Sequence, residues 1–220
     1  MSSYQYQRLA RRLLRHHLPI AAVSIAIAIL LFVTRPYTDV VMKLSFSTAY
    51  PALALIVLTL LIGPWNTLLG RRVPISSDWR RDVGIWAGIF SLFHTVIGQD
   101  VHLRGRPWLY YVYQHLKKHL VPLRHDLFGF SNYTGMAAAL LVVVLLVTSN
   151  DASLRKLGAQ RWKKWQRWNY AVFVLVAAHA IGYLTIENQK VLFVSIVAVC
   201  LVIAVVLQGL GYRKRRQQGL

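Results

Sequence analysis

Long apolar runs alternate with short, strongly basic segments along this chain, and that alternation limits the possible folds more than any other feature. A hydrocarbon core about 30 Å thick needs about 20 apolar residues per helix. Six runs come close to that length: Leu18–Thr34, Thr48–Leu68, Val83–Gln99, Thr134–Thr148, Trp168–Ile186 and Val191–Gly211. The fourth is the shortest. Pro19 suits the first turn of a helix, and Pro64 is expected to kink or end the second span. The 220 residues are 56% hydrophobic, yet 26 Lys and Arg face only 7 Asp and Glu. A soluble domain rarely combines such apolarity with so one-sided a charge. A bilayer protein does, because lipid takes the apolar faces and anionic headgroups attract the basic loops. The expected fold is an all-α integral membrane protein, a six-transmembrane-helix bundle, with the membrane lipid bilayer as its first partner. Nucleic acid is not expected as a partner.

The basic residues also predict an orientation. Arg8, Arg11, Arg12 and Arg15 precede the first span. Arg71, Arg72, Arg80 and Arg81 follow the second. Arg155, Lys156, Arg161, Lys163, Lys164 and Arg167 follow the fourth, and Arg213, Lys214, Arg215 and Arg216 follow the sixth. The other side holds Arg35, Lys43, Arg104, Arg106, Lys117, Lys118, Arg124 and Lys190. The positive-inside rule then places both termini in the cytoplasm, which an even number of spans requires independently. Residues 1–17 read as a basic cytoplasmic segment, 18–211 as the membrane domain and 212–220 as a basic cytoplasmic tail. The first run lacks a small-residue cleavage site and reads as a retained span. The single cysteine, Cys200, permits neither an internal disulfide nor a cysteine-rich metal site. The longest loop, 100–133, falls outside. Within it, "PWLYYVYQHLKKHL" spaces Leu109, Val112, Leu116 and Leu120 as in an amphipathic helix lying in the outer interface.

Two histidines fall within the spans: His94 in "WAGIFSLFHTVIGQ" and His179 in "NYAVFVLVAAHAIGY". Polar groups at membrane depth are costly and commonly functional. Each lies 12 residues after a charged residue at the cytoplasmic edge, Asp82 and Arg167 respectively, or about 18 Å at 1.5 Å per residue. Both spans run in the same direction, so the two imidazoles share one depth in the outer half. That is the requirement for two axial ligands of one heme iron. Gly84, Gly88, Ser91, Thr95 and Gly98 form a stripe of small residues beside His94. Ala177, Ala178, Ala180 and Gly182 surround His179. Such stripes leave clearance for a flat macrocycle or permit close helix packing. A buried imidazole bonded to a helix carbonyl is the plainer alternative for either histidine. His102, eight residues beyond His94, is placed to touch a heme propionate or to bind iron.

The segments "LTLLIGPW", "RRDVGIWAGIFSLFH" and "RKLGAQRWKKWQRWNY" resemble the ferric reductase-like transmembrane domain superfamily, over roughly residues 48–183. The resemblance is nearest to the heme-binding membrane subunits of the YedZ/MsrQ type, which serve a periplasmic methionine sulfoxide reductase. It implies a bacterial inner membrane location and b-type heme held between the third and fifth spans, at positions matching His94 and His179. Gly88, Ser91, Thr95 and His102 are the neighbours expected to contact that heme. Members of the family often carry a further histidine 13 residues before the fifth-span ligand. Gln166 stands there, and Arg81 stands 13 before His94, so one outer heme is expected rather than two. His16 and His17 are the cytoplasmic-side histidines able to substitute. No G-x-G-x-x-G follows a strand in the sequence. Electrons are therefore expected from a separate flavoprotein, a bound FMN or FAD, or a membrane quinone in its quinol form. They would leave to an outer-side redox protein or small acceptor, making the chain an oxidoreductase electron-transfer subunit. A stand-alone ferric or quinone reductase and a hemeless structural or assembly subunit stay open. A transporter is less well supported, because the spans carry no acidic residue that could couple protons or cations.

Overall fold

Residues 3–71, 78–115, 121–188 and 191–217 are described in a computed structural model, with side chains from residue 6 onward. Helix α1 (Ser3–Arg12) passes through a π-helical turn at Leu13–His17 into α2 (Leu18–Thr34). Then come α3 (Val40–Leu68), α4 (Asp78–Gly98), α5 (Leu127–Thr148), α6 (Asp151–Gln166), α7 (Asn169–Ile186) and α8 (Val191–Gln217). Among the described residues there is no strand, only an isolated antiparallel bridge between Val112 and Leu123. Among the described residues the protein is thus all-helical, of a multi-pass membrane type.

Five helical runs are long and apolar enough to cross a membrane: Tyr6–Thr34, Val40–Leu68, Leu127–Thr148, Asp151–Ile186 and Val191–Gln217. The expected third span, α4, is not among them. Its first two turns carry Asp78, Arg80, Arg81 and Asp82, and glycine, serine, threonine and histidine dilute the rest. Its position explains that composition. Arg81, Asp82, Val83, Ala87, Gly88 and Phe90 are buried, and α4 packs along α3 and against α5. A helix enclosed by other helices needs less apolar surface than one bathed in lipid.

Two helices start earlier than hydropathy suggests. Expected from Thr48, α3 begins at Val40, where Asp39 caps it by accepting the Met42 N–H at 2.9 Å. Expected from Thr134, α5 begins at Leu127, where Asp126 accepts the Gly129 N–H at 2.8 Å. A hydrogen bond from Arg124 holds the Asp126 carboxyl below the usual carboxylate range. The added turns look polar but are satisfied internally. Thr48 donates to Leu44 O, Ser131 to Leu127 O and Asn132 to Phe128 O. Such back-bonding lets hydroxyl and amide side chains sit buried in a helix.

Pro64 does not end α3. Proline lacks an N–H, so the carbonyl four residues back, at Leu60, loses its helical donor. Gln208 on α8 supplies a replacement, donating from Nε2 to Leu60 O at 2.7 Å. Gly211 packs against the proline ring, where an added Cβ would lie 2.8 Å from Pro64 Cβ. The basic tail continues this helix to Gln217, with Lys214 bonded to Leu68 O and Arg215 to Thr67 Oγ1.

The expected amphipathic helix at 107–120 is corrected. Its described part is a single 3-10 turn, Pro107–Tyr110, followed by chain that pairs back on residues 122–124. Leu116 and Leu120 lie outside the described residues. The aromatic residues explain the difference. Tyr110 is fully buried and donates to Gly98 O at 3.1 Å, so it plugs the end of the bundle.

The two ends of the bundle differ in charge. One gathers α1, the start of α4, α6 and the last turns of α3 and α8. There Asp82, with no exposed surface, meets Arg12, His16 Nδ1 at 2.8 Å and His17 Nε2 at 3.2 Å. Arg8 and Arg81 pair with Asp78, and Arg81 also with Asp151. At the far end buried Arg35 donates to Tyr50 Oη at 2.7 Å and lies 3.4 Å over the Phe193 ring. That contact ties the end of α2 to α3 and α8.

Candidate functional site

His94 on α4 and His179 on α7 meet inside the bundle, with ring centroids 6.1 Å apart and planes 74° from parallel. Each ring is fixed by a backbone carbonyl of a neighbouring helix. His94 Nδ1 lies 2.9 Å from Ser45 O on α3, and His179 Nδ1 lies 2.8 Å from Ser131 O on α5. A carbonyl oxygen only accepts, so both Nδ1 atoms carry the hydrogen. Each Nε2 then holds its lone pair, the tautomer that a metal-binding imidazole needs. Both alternatives left by the sequence are therefore present together: each imidazole is bonded to a helix carbonyl, and each keeps one nitrogen for a metal.

The separation suits a shared ion. Imidazole–metal bonds of about 2 Å on either side, plus about 1.2 Å from nitrogen to ring centroid, place two trans rings roughly 6.4 Å apart. The cavity shared by the histidines measures 160 Å³. A porphyrin is larger, so seating one requires lining side chains, the flexible thioether of Met136 among them, to turn aside. Ser91 presents a buried hydroxyl to this cavity that finds no partner among the described residues.

Ser91, Thr95 and His102 line the same cavity as the two histidines. Gly88 does not; it lines a second, much larger cavity toward the basic end, with Leu146 packed against it. The small residues therefore divide between uses. Gly182 serves helix packing, since an added Cβ would lie 2.0 Å from Ser131 Oγ. His102 Nε2 is 3.1 Å from Glu187 Oε1, and its backbone N–H donates to Tyr110 Oη at 2.8 Å. Its ring stacks on Tyr183 at 6.0 Å, and Tyr183 lies 4.9 Å from the His179 ring. Glu187 thus engages the Nε2 of His102. Arg81 and Gln166 both line the larger cavity, Arg81 paired with two aspartates and Gln166 Nε2 bonded to Thr148 Oγ1 at 3.2 Å. His16 and His17 face Asp82 and do not line it.

Gly135 was not evident from the sequence. A Cβ there would lie 2.5 Å from His179 Nδ1, so only glycine admits the ring at its observed place. Ser45 and Ser131 were also missed, because a carbonyl contact leaves no side-chain signature. The one available signal was the four-residue spacing of Ser131 and Gly135 on the helix that faces His179.

No family model matches the chain. It is 31% identical over 171 residues to the protein-methionine-sulfoxide reductase heme-binding subunit MsrQ of Rhizobium meliloti, covering 66% of this chain and 79% of that protein. It is 29% identical over 174 residues to the MsrQ of Pectobacterium atrosepticum, covering 77% and 75%. It also matches magnetosome protein MamZ of Magnetospirillum gryphiswaldense at 26% over 140 residues, 63% of this chain and 19% of that longer protein. With that identity and coverage, alongside an apolar helical bundle that presents two metal-competent imidazoles to one another, the chain belongs to the MsrQ family of membrane subunits.

Proposed function

We propose that the chain is an electron carrier of the bacterial inner membrane that holds one b-type heme between α4 and α7, with His94 and His179 as axial ligands. The observation that carries this reading is the pair itself: two imidazoles 6.1 Å apart, each with Nδ1–H committed to a carbonyl. The name shared by two of the relatives, a heme-binding subunit, supports the cofactor. Such a heme would supply reversible one-electron chemistry at its iron. The chain's own residues do the rest. Ser45 O and Ser131 O fix the tautomer and hold the rings in place, and Gly135 gives His179 its room. Held by two imidazole nitrogens, such a heme would favour electron transfer over oxygen binding. Ser91 and Thr95 form part of the wall, and His102, engaged by Glu187, contacts the edge of the group rather than its iron.

In this reading α4 is a sixth crossing and both termini are cytoplasmic, so the basic end faces the cytoplasm. Electrons arrive there from a separate flavoprotein or quinol and leave to an outer-side redox protein. The relatives' role as heme-binding subunits of a protein-methionine-sulfoxide reductase makes such a reductase the candidate acceptor.

The test is a reduced-minus-oxidised spectrum with heme stoichiometry on the purified chain. We expect a b-type spectrum with one heme per chain, lost in both His94→Ala and His179→Ala and kept in His102→Ala. A heme-free protein from heme-replete cells would reject the reading in favour of a structural or assembly role. Two hemes per chain would reject the single-heme count.

A further inference from the structure

A second cavity is much larger than the one between the histidines. It measures about 1140 Å³, opens at the basic end and reaches between α3, α4, α5, α7 and α8. That exceeds the roughly 300–1,000 Å³ of ordinary small-molecule sites. Its described lining includes no histidine, cysteine or methionine, so the usual protein ligands of heme iron are absent from its wall.

The wall has two chemistries. Arg71, Arg80, Arg81, Lys163, Arg167 and Arg215 line it without any aspartate or glutamate among the described lining residues. Asp78 and Asp151 pair with Arg81 from outside the lining. Deeper in the bundle, Ile56, Leu60, Ala87, Val142 and Leu145 make the wall apolar. Six cations around one opening repel each other and attract an anion. The apolar depth behind them would be left against water by a small hydrophilic ion. One kind of molecule satisfies both parts: an anionic head joined to a hydrocarbon body.

We propose that this cavity is a binding site for a single phosphate-headed lipid, the head held among the cations and an acyl chain running between the helices. Such a lipid fills a central void that otherwise weakens the packing of five helices. It also places a fixed negative charge among the arginines of the basic end. The site does not rest on the heme reading: its cations lie apart from the histidines, and the two cavities share only the apolar wall at Ile56 and Val142.

Native mass spectrometry of the full chain, released from nanodiscs of mixed phosphatidylglycerol and phosphatidylcholine, tests the proposal. We expect about one phosphatidylglycerol retained per chain, in at least tenfold preference over phosphatidylcholine. The double variant Lys163→Glu/Arg167→Glu, both exposed in the wild type, should lose that preference with its heme spectrum unchanged. Equal retention of both lipids, or none after mild delipidation, would overturn the proposal. So would displacement of the lipid by millimolar inorganic phosphate, which would make free phosphate the ligand. Recovery of a flavin nucleotide or a second heme at one per chain in place of lipid would overturn it as well. Lipid exchange on the wild type needs no variant, so misfolding of the double variant leaves the question decidable.

Discussion

Gly135 sets the position of His179 from the same helix as Ser131. Its missing Cβ would lie 2.5 Å from Nδ1 and 2.8 Å from Cε1, and the ring cannot retreat without losing its bond to Ser131 O. Gly135→Ala should therefore lower heme content sharply while far-ultraviolet circular dichroism stays unchanged, because alanine is a better helix former than glycine. Full heme occupancy in that variant would show that His179 has room to move. Gly182→Ala is the useful contrast. Its added Cβ meets a hydroxyl, Ser131 Oγ, which can rotate away, so a smaller effect is expected. These two glycines also mark the limit of sequence reading at this scale. His94 and His179 were legible as a facing pair because imidazoles are conspicuous in apolar runs and their depth could be counted. Ser45 and Ser131 were not, because they act through backbone carbonyls that every residue possesses. Gly88 was misplaced because periodicity assigns a helix face but not which of two cavities that face meets.

Helix ends and proline tolerance decide what happens at the level of elements. Apolar counting located five runs able to cross a membrane but started α3 and α5 late, since Ser47, Ser131 and Asn132 look like loop residues. Each is buried and bonded within its own helix, which composition does not reveal. Pro64 illustrates the same point energetically. The helix continues through it because Gln208 satisfies the carbonyl that proline leaves open. Gln208→Leu should cost about 1–3 kcal/mol, the usual penalty for a buried polar group left without its partner. The cost should shrink in a Pro64→Ala background, where an N–H again reaches Leu60 O. A double-mutant cycle on thermal or denaturant unfolding measures it. Equal cost in both backgrounds would mean that Gln208 acts through packing alone.

The whole molecule is held at its basic end by a network that the sequence presented only as scattered charge. Asp82 is the anchor, fully buried among Arg12, His16 and His17, and it joins the segment before α2 to α4. The sequence offered Arg12 only as a topology signal, because its pairing with Asp82 needs the folded arrangement. Asp82→Asn should release that segment, because removing one member of a buried ionic group commonly costs about 3–5 kcal/mol. Protease cleavage between residues 8 and 17 should then become much faster, and an unchanged rate would show that apolar contacts suffice to dock it.

The same network bears on topology, because it fixes the start of α4 beside α1 and α6. From there α4 has 21 residues, about 31 Å at 1.5 Å per residue, enough to reach the other face of a core about 30 Å thick. Its low apolarity argues against a lipid-bathed span but not against an enclosed one. Arg71 and Arg106 lie on either side of it in sequence and both are exposed. Single cysteines placed at these two positions in a Cys200→Ser background should react with a membrane-impermeant maleimide from opposite sides. Arg106→Cys should label in intact spheroplasts, and Arg71→Cys only after the membrane is opened. If both label from the same side, α4 does not cross, the bundle has five spans, and the cytoplasmic placement of both termini falls with it.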